Sequence, residues 1–263
     1  MKSLGVKIVG GILDTLKPKF KILAYHSVGL SNFDPFEVAP ETFEQQMGFL
    51  AETGYHVICL EEVYRNMLDQ MIPDKTIVIT FDDGLETLEK FAFPVLRRFN
   101  FPATVFLPVK YIGGLDVFSY EEPEADRVLL NWASIEDSIH GGISYGSHTM
   151  SHPNLVMLDD KALQYELDES KAILQKHLGV KFHALAYPFG IFDDRVKHAA
   201  RQNGYDCALG FGHVLSNTRD TDLFEMKREK IDSSTSLKGF ARLVDVRNDF
   251  SRGIKALLKN VLN

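Results

Sequence analysis

The chain has 263 residues, 45% of them apolar and 25% charged, with a formal net charge of −7. This length and composition suit one globular α/β domain with a full core, and the acidic balance argues against nucleic acid as a partner, since that needs a positive footprint. Cys59 and Cys207 lie far apart and make neither a metal spacing nor a disulfide framework, which points to a reducing compartment.

The amino-terminal stretch "SLGVKIVGGILDTL" places Leu4, Ile8, Val9, Ile12, Leu13 and Leu16 on one helical face, with Lys2, Lys7, Lys17 and Lys19 nearby. Lys7 and Asp14 interrupt it and no small-residue cleavage pattern follows. It is a poor signal peptide, and the expected location is cytoplasmic. The carboxyl terminus repeats the pattern, with Phe250, Ile254, Leu257, Leu258, Val261 and Leu262 on one face beside Arg252, Lys255 and Lys259. Basic amphipathic helices can lie on anionic membranes, so peripheral contact with the inner membrane face is one expectation. Packing of both ends on the domain is the other.

Between these ends, eight apolar runs read as strands: 21–26, 56–60, 76–81, 103–107, 143–148, 182–187, 206–211 and 225–231. Helical patterns fall near 41–53, 61–70, 86–99, 132–139, 159–178 and 193–203. The clearest is 159–178, where Leu163, Leu167, Ile173, Leu174 and Leu178 fall mainly on one face before Gly179 stops the helix. Alternation of strand and helix predicts an α/β fold with a parallel sheet, read here as a single barrel-like domain over 1–263. No glycine-rich dinucleotide loop follows the first strand. The acidic run Glu121–Asp126 reads as a solvated loop.

Ligand sites in such folds lie at the carboxyl ends of the strands. His26, the pair Asp82-Asp83, His148 and the stretch Tyr187-Pro188-Phe189-Gly190 all occupy such ends. In "GSHTMSHPNL", His148 and His152 stand four apart, a spacing that on a helical turn lets two imidazoles share a metal. Two histidines and one carboxylate leave positions open for water and substrate. The doubled carboxylate would then divide the labour: one aspartate binds the metal while its neighbour, held off the metal, takes the water proton.

"TFDDG" followed by "SHTMSH" resembles the first two motifs of the polysaccharide deacetylases, a carbohydrate esterase family whose members share a distorted (β/α) barrel, here of seven or eight parallel strands. "AYHSV" and "FEQQMGFLAETGYHVICLEE" resemble the branch acting on exopolysaccharide N-acetylglucosamine. The resemblance implies a general base at Asp82 and a metal triad of Asp83, His148 and His152, filled by a divalent metal, zinc first and cobalt or nickel as alternatives. It implies that Thr149 steadies the second histidine's loop and that the Phe189 backbone N–H binds the oxyanion, with Tyr187 beside it in the substrate-binding group. The implied reaction is hydrolysis of the acetamide of an N-acetylated sugar or glycan to acetate and a free amine.

The chain departs from the family's usual third motif, Arg-x-Pro-x-Gly, because Ala186 stands where the arginine would be. Arg228, in "FEMKREKID", is the candidate to pair with the base instead; its charged neighbours equally suit a solvated strand. No aspartate–tryptophan motif is present, and no histidine follows His213. His26 is the first candidate for the acid that protonates the amine and His213 the second, with a satisfied core histidine as the other reading of His26. Trp132 reads as helix packing. Hydrolysis of another C–N bond, in a ureide or formamide, and a glycan-binding module without turnover are the competing functions.

Overall fold

The computed structural model describes residues 18–30, 34–118, 127–211 and 216–249. The amphipathic ends, the acidic run and His213 lie outside these residues. Seven parallel strands close into a ring: β1 (Lys19–Tyr25), β2 (Thr76–Phe81), β3 (Ala103–Leu107), β4 (Ile143–Ser147), β5 (Ala184–Ala186), β6 (Cys207–Phe211) and β7 (Met226–Lys230). Each pairs with the next, and β1 closes the ring by pairing with β2 on one edge and β7 on the other. The β4–β5 seam is the thinnest, held through Ser147 opposite Leu185. It marks where the barrel is distorted.

The eighth expected strand shortens to His56–Val57. It pairs with Thr76 and Ile77 at the lower half of β2, while β3 takes Thr80 and Phe81 above. One edge of β2 cannot serve two full strands, so this segment is a spur on the barrel.

Among the described residues seven α-helices surround the ring: α1 (Pro40–Glu52), α2 (Leu60–Leu68), α3 (Phe93–Phe99), α4 (Trp132–Ile139), α5 (Asp160–Leu178), α6 (Asp194–Gln202) and α7 (Leu237–Val244). Asn131, Asp159 and Asp193 cap α4, α5 and α6 by accepting N–H bonds from Ser134, Ala162 and Val196. A π-helical turn, Leu88–Ala92, leads into α3, where Pro94 lacks the N–H that would continue the ladder. No helix among the described residues is long and apolar enough to cross a membrane.

Side chains alternate in and out along each strand. Ile22, Val78, Phe106, Ala186, Leu209 and Met226 share one buried cluster inside the ring. Their neighbours Leu23, Ile77, Val105 and Tyr145 face outward and pack with the helices. The same alternation governs the site.

Candidate active site

Along β2 the inward positions run Val78, Thr80 and then Asp82. The Asp82 N–H donates to the Tyr25 carbonyl at 2.9 Å, extending the ladder one residue past the strand. On β7, Arg228 lies two residues after Met226 and also points inward. Its two terminal nitrogens donate to the two Asp82 oxygens at 2.6 and 2.8 Å, and the Phe211 ring packs 4.8 Å from the guanidinium. Burial by itself would raise the Asp82 pKa. The Arg228 charge, together with its hydrogen bonds, reverses this and holds the carboxyl far below the usual range.

Asp83 turns the other way. Its backbone is left-handed at φ 67°, followed by Gly84 at φ 70°, where a Cβ would overlap the Leu107 side chain. The turn therefore needs glycine. Asp83 Oδ1 is buried without a hydrogen-bond partner, 3.8 Å from Nε2 of His148 and 3.8 Å from Nε2 of His152. Burial first, then the charges of Asp82 and Asp116, push the Asp83 pKa well up. A cation would relieve each of these costs.

The imidazoles suit that cation. His148 Nδ1 lies 2.7 Å from the Ala186 carbonyl, which can only accept, so Nδ1 carries the hydrogen and Nε2 presents its lone pair. Burial lowers the pKa of both histidines, keeping them in the neutral form that ligates. Ligating atoms of the three residues lie within 4.8 Å of one another. Donors about 2.1 Å from a tetrahedral zinc stand about 3.4 Å apart, close to the 3.8 Å between Asp83 and each histidine. His152 departs from the usual pattern in one respect: its Nδ1 is buried with no partner.

The helical turn expected for His148 and His152 does not form. His148 ends the β3–β4 ladder, its N–H donating to Leu107. Thr149 (φ 69°) and His152 (φ 59°) are then both left-handed. This non-helical turn brings the rings to 4.6 Å. Thr149 Oγ1 accepts the His152 N–H at 3.0 Å, within the same loop. Sequence reasoning overlooked Glu166 of α5, whose carboxylate accepts from Ser151 N–H at 2.9 Å and Ser151 Oγ at 2.6 Å. A buried glutamate on an otherwise apolar helical face was the available signal.

Phe189 (φ 60°) and Gly190 (φ 68°) make a sharp turn after β5, and a Cβ at Gly190 would overlap the Phe211 ring. The Phe189 ring stands edge-on to His152 at 4.8 Å and is 55% exposed. Tyr187 corrects the expectation that it lines the substrate site. It follows inward Ala186 and so points outward: its hydroxyl donates to the Phe224 carbonyl at 3.1 Å and its ring stacks on Phe192. Trp132 stacks on His177 of α5 at 4.2 Å, in the outer layer.

His26 lies just past β1 with its ring 4.8 Å from Phe36, and its Nδ1 is buried without a partner. Burial lowers its pKa to about 4 against the pull of Asp82. It is therefore neutral near pH 7 and holds no spare proton in the resting site.

Known proteins resemble this chain in sequence and in fold. Residues 69–208 match the family model described as polysaccharide deacetylase. A Bacillus subtilis (strain 168) protein whose name assigns it to the polysaccharide deacetylases is 26% identical over 235 residues, covering 89% of this chain and 79% of that one. The poly-β-1,6-N-acetyl-D-glucosamine N-deacetylase of Staphylococcus epidermidis is 25% identical, covering 76% of this chain and 70% of its own. In fold, a Streptococcus pyogenes deacetylase superposes with a TM-score of 0.76 at 24% identity, over 87% of this chain and 99% of that one. With a match across more than half its length, a closed (β/α) barrel and an Asp–His–His cluster at the strand ends, this chain belongs to the polysaccharide deacetylase family of C–N hydrolases.

Proposed function

We propose that Asp83, His148 and His152 hold one divalent cation, zinc foremost and cobalt or nickel as alternatives, and that Asp82 is the base in hydrolysis of a glycan acetamide. The observation carrying this reading is the opposite condition of two adjacent aspartates. Asp82 is clamped by Arg228, while Asp83 offers an unpartnered buried oxygen to two imidazoles. When bound, the cation supplies Lewis acidity, lowering the pKa of a water to about 7 and polarising the carbonyl. Asp82 Oδ2 stands 4.0 Å from His148 Nε2, at the edge of the triad, where an ionised carboxylate can accept the water proton. Arg228 keeps that carboxylate ionised and fixes its orientation.

The Phe189 backbone N–H is the proposed oxyanion donor, a contribution of roughly 2.7–4 kcal/mol by analogy with oxyanion holes that have lost one donor. The departing amine needs a proton. His26 is neutral, so it acts as the acid only after receiving the proton that Asp82 has taken. The proton then passes from water through Asp82 and His26 to the amine, with none gained or lost.

Exposed Phe189 and Ile191 give the mouth an apolar border suited to the face of a sugar ring. This supports an N-acetylated glycan over a small ureide or formamide. The Staphylococcus epidermidis relative makes β-1,6-linked N-acetylglucosamine oligomers the first substrate to try. Zinc-loaded protein should release acetate and new amine in equal amounts, with both lost on chelation and restored by zinc. Formate or ammonia from formamides or ureides, without acetate, would move the activity to another C–N bond. One bound metal per chain with no product from any N-acetylated glycan would leave a binding module.

A further inference from the structure

Two loops flank the metal triad, and one buried guanidinium joins them. Arg127 Nε donates to Asp116 Oδ2 at 2.9 Å, and one terminal nitrogen pairs with Asp34 Oδ2. The Arg127 side chain is 11% exposed and the two aspartate side chains at most 2%. Asp34 lies in the loop after β1, Asp116 in the loop after β3.

Each aspartate uses its other oxygen in the same way. Asp34 Oδ1 accepts the Phe36 N–H at 2.8 Å, and Asp116 Oδ1 accepts the Phe118 N–H at 3.3 Å. Both are Asx-turns, built on Asp34-Pro35-Phe36 and Asp116-Val117-Phe118, two of the chain's three Asp-x-Phe sequences; the third, Asp222-Leu223-Phe224, makes the same bond. Each of the first two turns aims its aromatic ring at a histidine of the site. Phe36 lies 4.8 Å from His26, and Phe118 lies 4.8 Å from His152. The path from charge to ring is therefore the same on both sides: guanidinium, carboxylate, backbone N–H, phenyl, imidazole.

We infer that Arg127 is a positioning residue that fixes Phe36 and Phe118 as two walls of the cleft in which the substrate's N-acetylated sugar sits. The inference rests on the deacetylase reading for its substrate and not for its geometry. A guanidinium suits the task because its planar fork reaches two carboxylates at once. A lysine is a single point charge and cannot reproduce both bonds. Arg127 pairs with Asp34 and Asp116, and its charge bears on Asp83 less than burial, Asp82 and Asp116 do. Its loss should act on substrate binding more than on the chemical step.

The test uses the full chain in two readouts. For acetate release from N-acetylglucosamine oligomers, Arg127→Met should raise KM at least tenfold and change kcat less than threefold, with one zinc still bound. Arg127→Lys should fall between it and the parent. Independently of activity, 19F NMR of protein labelled with 4-fluorophenylalanine, assigned through Phe36→Leu and Phe118→Leu, should show both resonances moving in Arg127→Met. Asp34→Asn should move the Phe36 resonance alone and Asp116→Asn the Phe118 resonance alone; these milder variants carry the test if Arg127→Met does not fold. Unmoved resonances in the folded variants would overturn the inference, as would a fall in kcat with KM unchanged. If the parent has no deacetylase activity but the resonances respond as described, the function is wrong and the positioning stands.

Discussion

Arg228 meets Asp82 with both terminal nitrogens inside the barrel, so removing it leaves a buried carboxylate without its counter-charge. Arg228→Met should lower kcat by about 10²-fold or more, in the range assigned to a general base. The sign of the pH effect follows from the charge. Loss of a nearby positive group makes Asp82 easier to protonate, so the acidic limb of the pH–rate profile moves to higher pH. A limb at its original position with a near-normal rate would reduce Arg228 to a packing role. The sequence exposed the other site residues more readily, because Asp82, Asp83 and His148 sit at strand ends and His152 follows in the same loop. Arg228 was less legible, a candidate to pair with the base but set among Lys227, Glu229 and Lys230, which equally suit a solvated strand. Only closure of the barrel puts alternate residues of β7 inside, beside Thr80 and Asp82. Tyr187 failed for the complementary reason. Position at a strand end does not say which face a side chain takes, and alternation from Ala186 sends it outward.

Among the elements, α5 carries the His152 loop as well as packing the barrel. Ser147 Oγ donates to Ser170 Oγ at 2.8 Å, and Glu166 accepts both Ser151 bonds. The left-handed backbone at Thr149 and His152 has its own cost, on the order of 1–3 kcal/mol each, so these contacts must hold it. Glu166→Ala should weaken zinc affinity by about tenfold to a hundredfold, the usual effect of losing outer support at a metal site. A competition titration measures it, and unchanged affinity would show that the loop holds its own shape. The α5 stripe was legible because nineteen residues of apolar period leave little choice. The turn before it was misjudged as helical, since spacing alone cannot report two left-handed residues held by tertiary bonds. α7 escaped notice because it is eight residues long with Gly239 inside.

For the whole molecule, ring closure brings together groups from distant parts of the chain. Asp82 and Arg228 are separated by 146 positions. On the outer wall, buried Lys21 of β1 pairs with Glu229 of β7 at 2.8 Å and Asp249 at 2.6 Å, tying the chain beyond α7 to the barrel. Because the site is assembled only by the closed barrel, a cation bound there should stabilise the entire fold. At a free concentration 100 times its Kd, a ligand adds about 2.7 kcal/mol. For a chain of this size that is a rise in Tm of about 5–10 °C, at about 2–4 °C per kcal/mol. Calorimetry should show this rise on adding zinc to chelated parent protein and none in Asp83→Ala; equal responses would place the metal elsewhere. The central claim, that two adjacent aspartates divide ligand and base between them, is tested most directly by measuring bound zinc and acetate turnover together in Asp82→Asn and Asp83→Ala. Asp82→Asn should keep one zinc per chain and lose turnover, while Asp83→Ala should lose both. Equal zinc loss in the two variants, or turnover surviving in Asp82→Asn, would contradict the account.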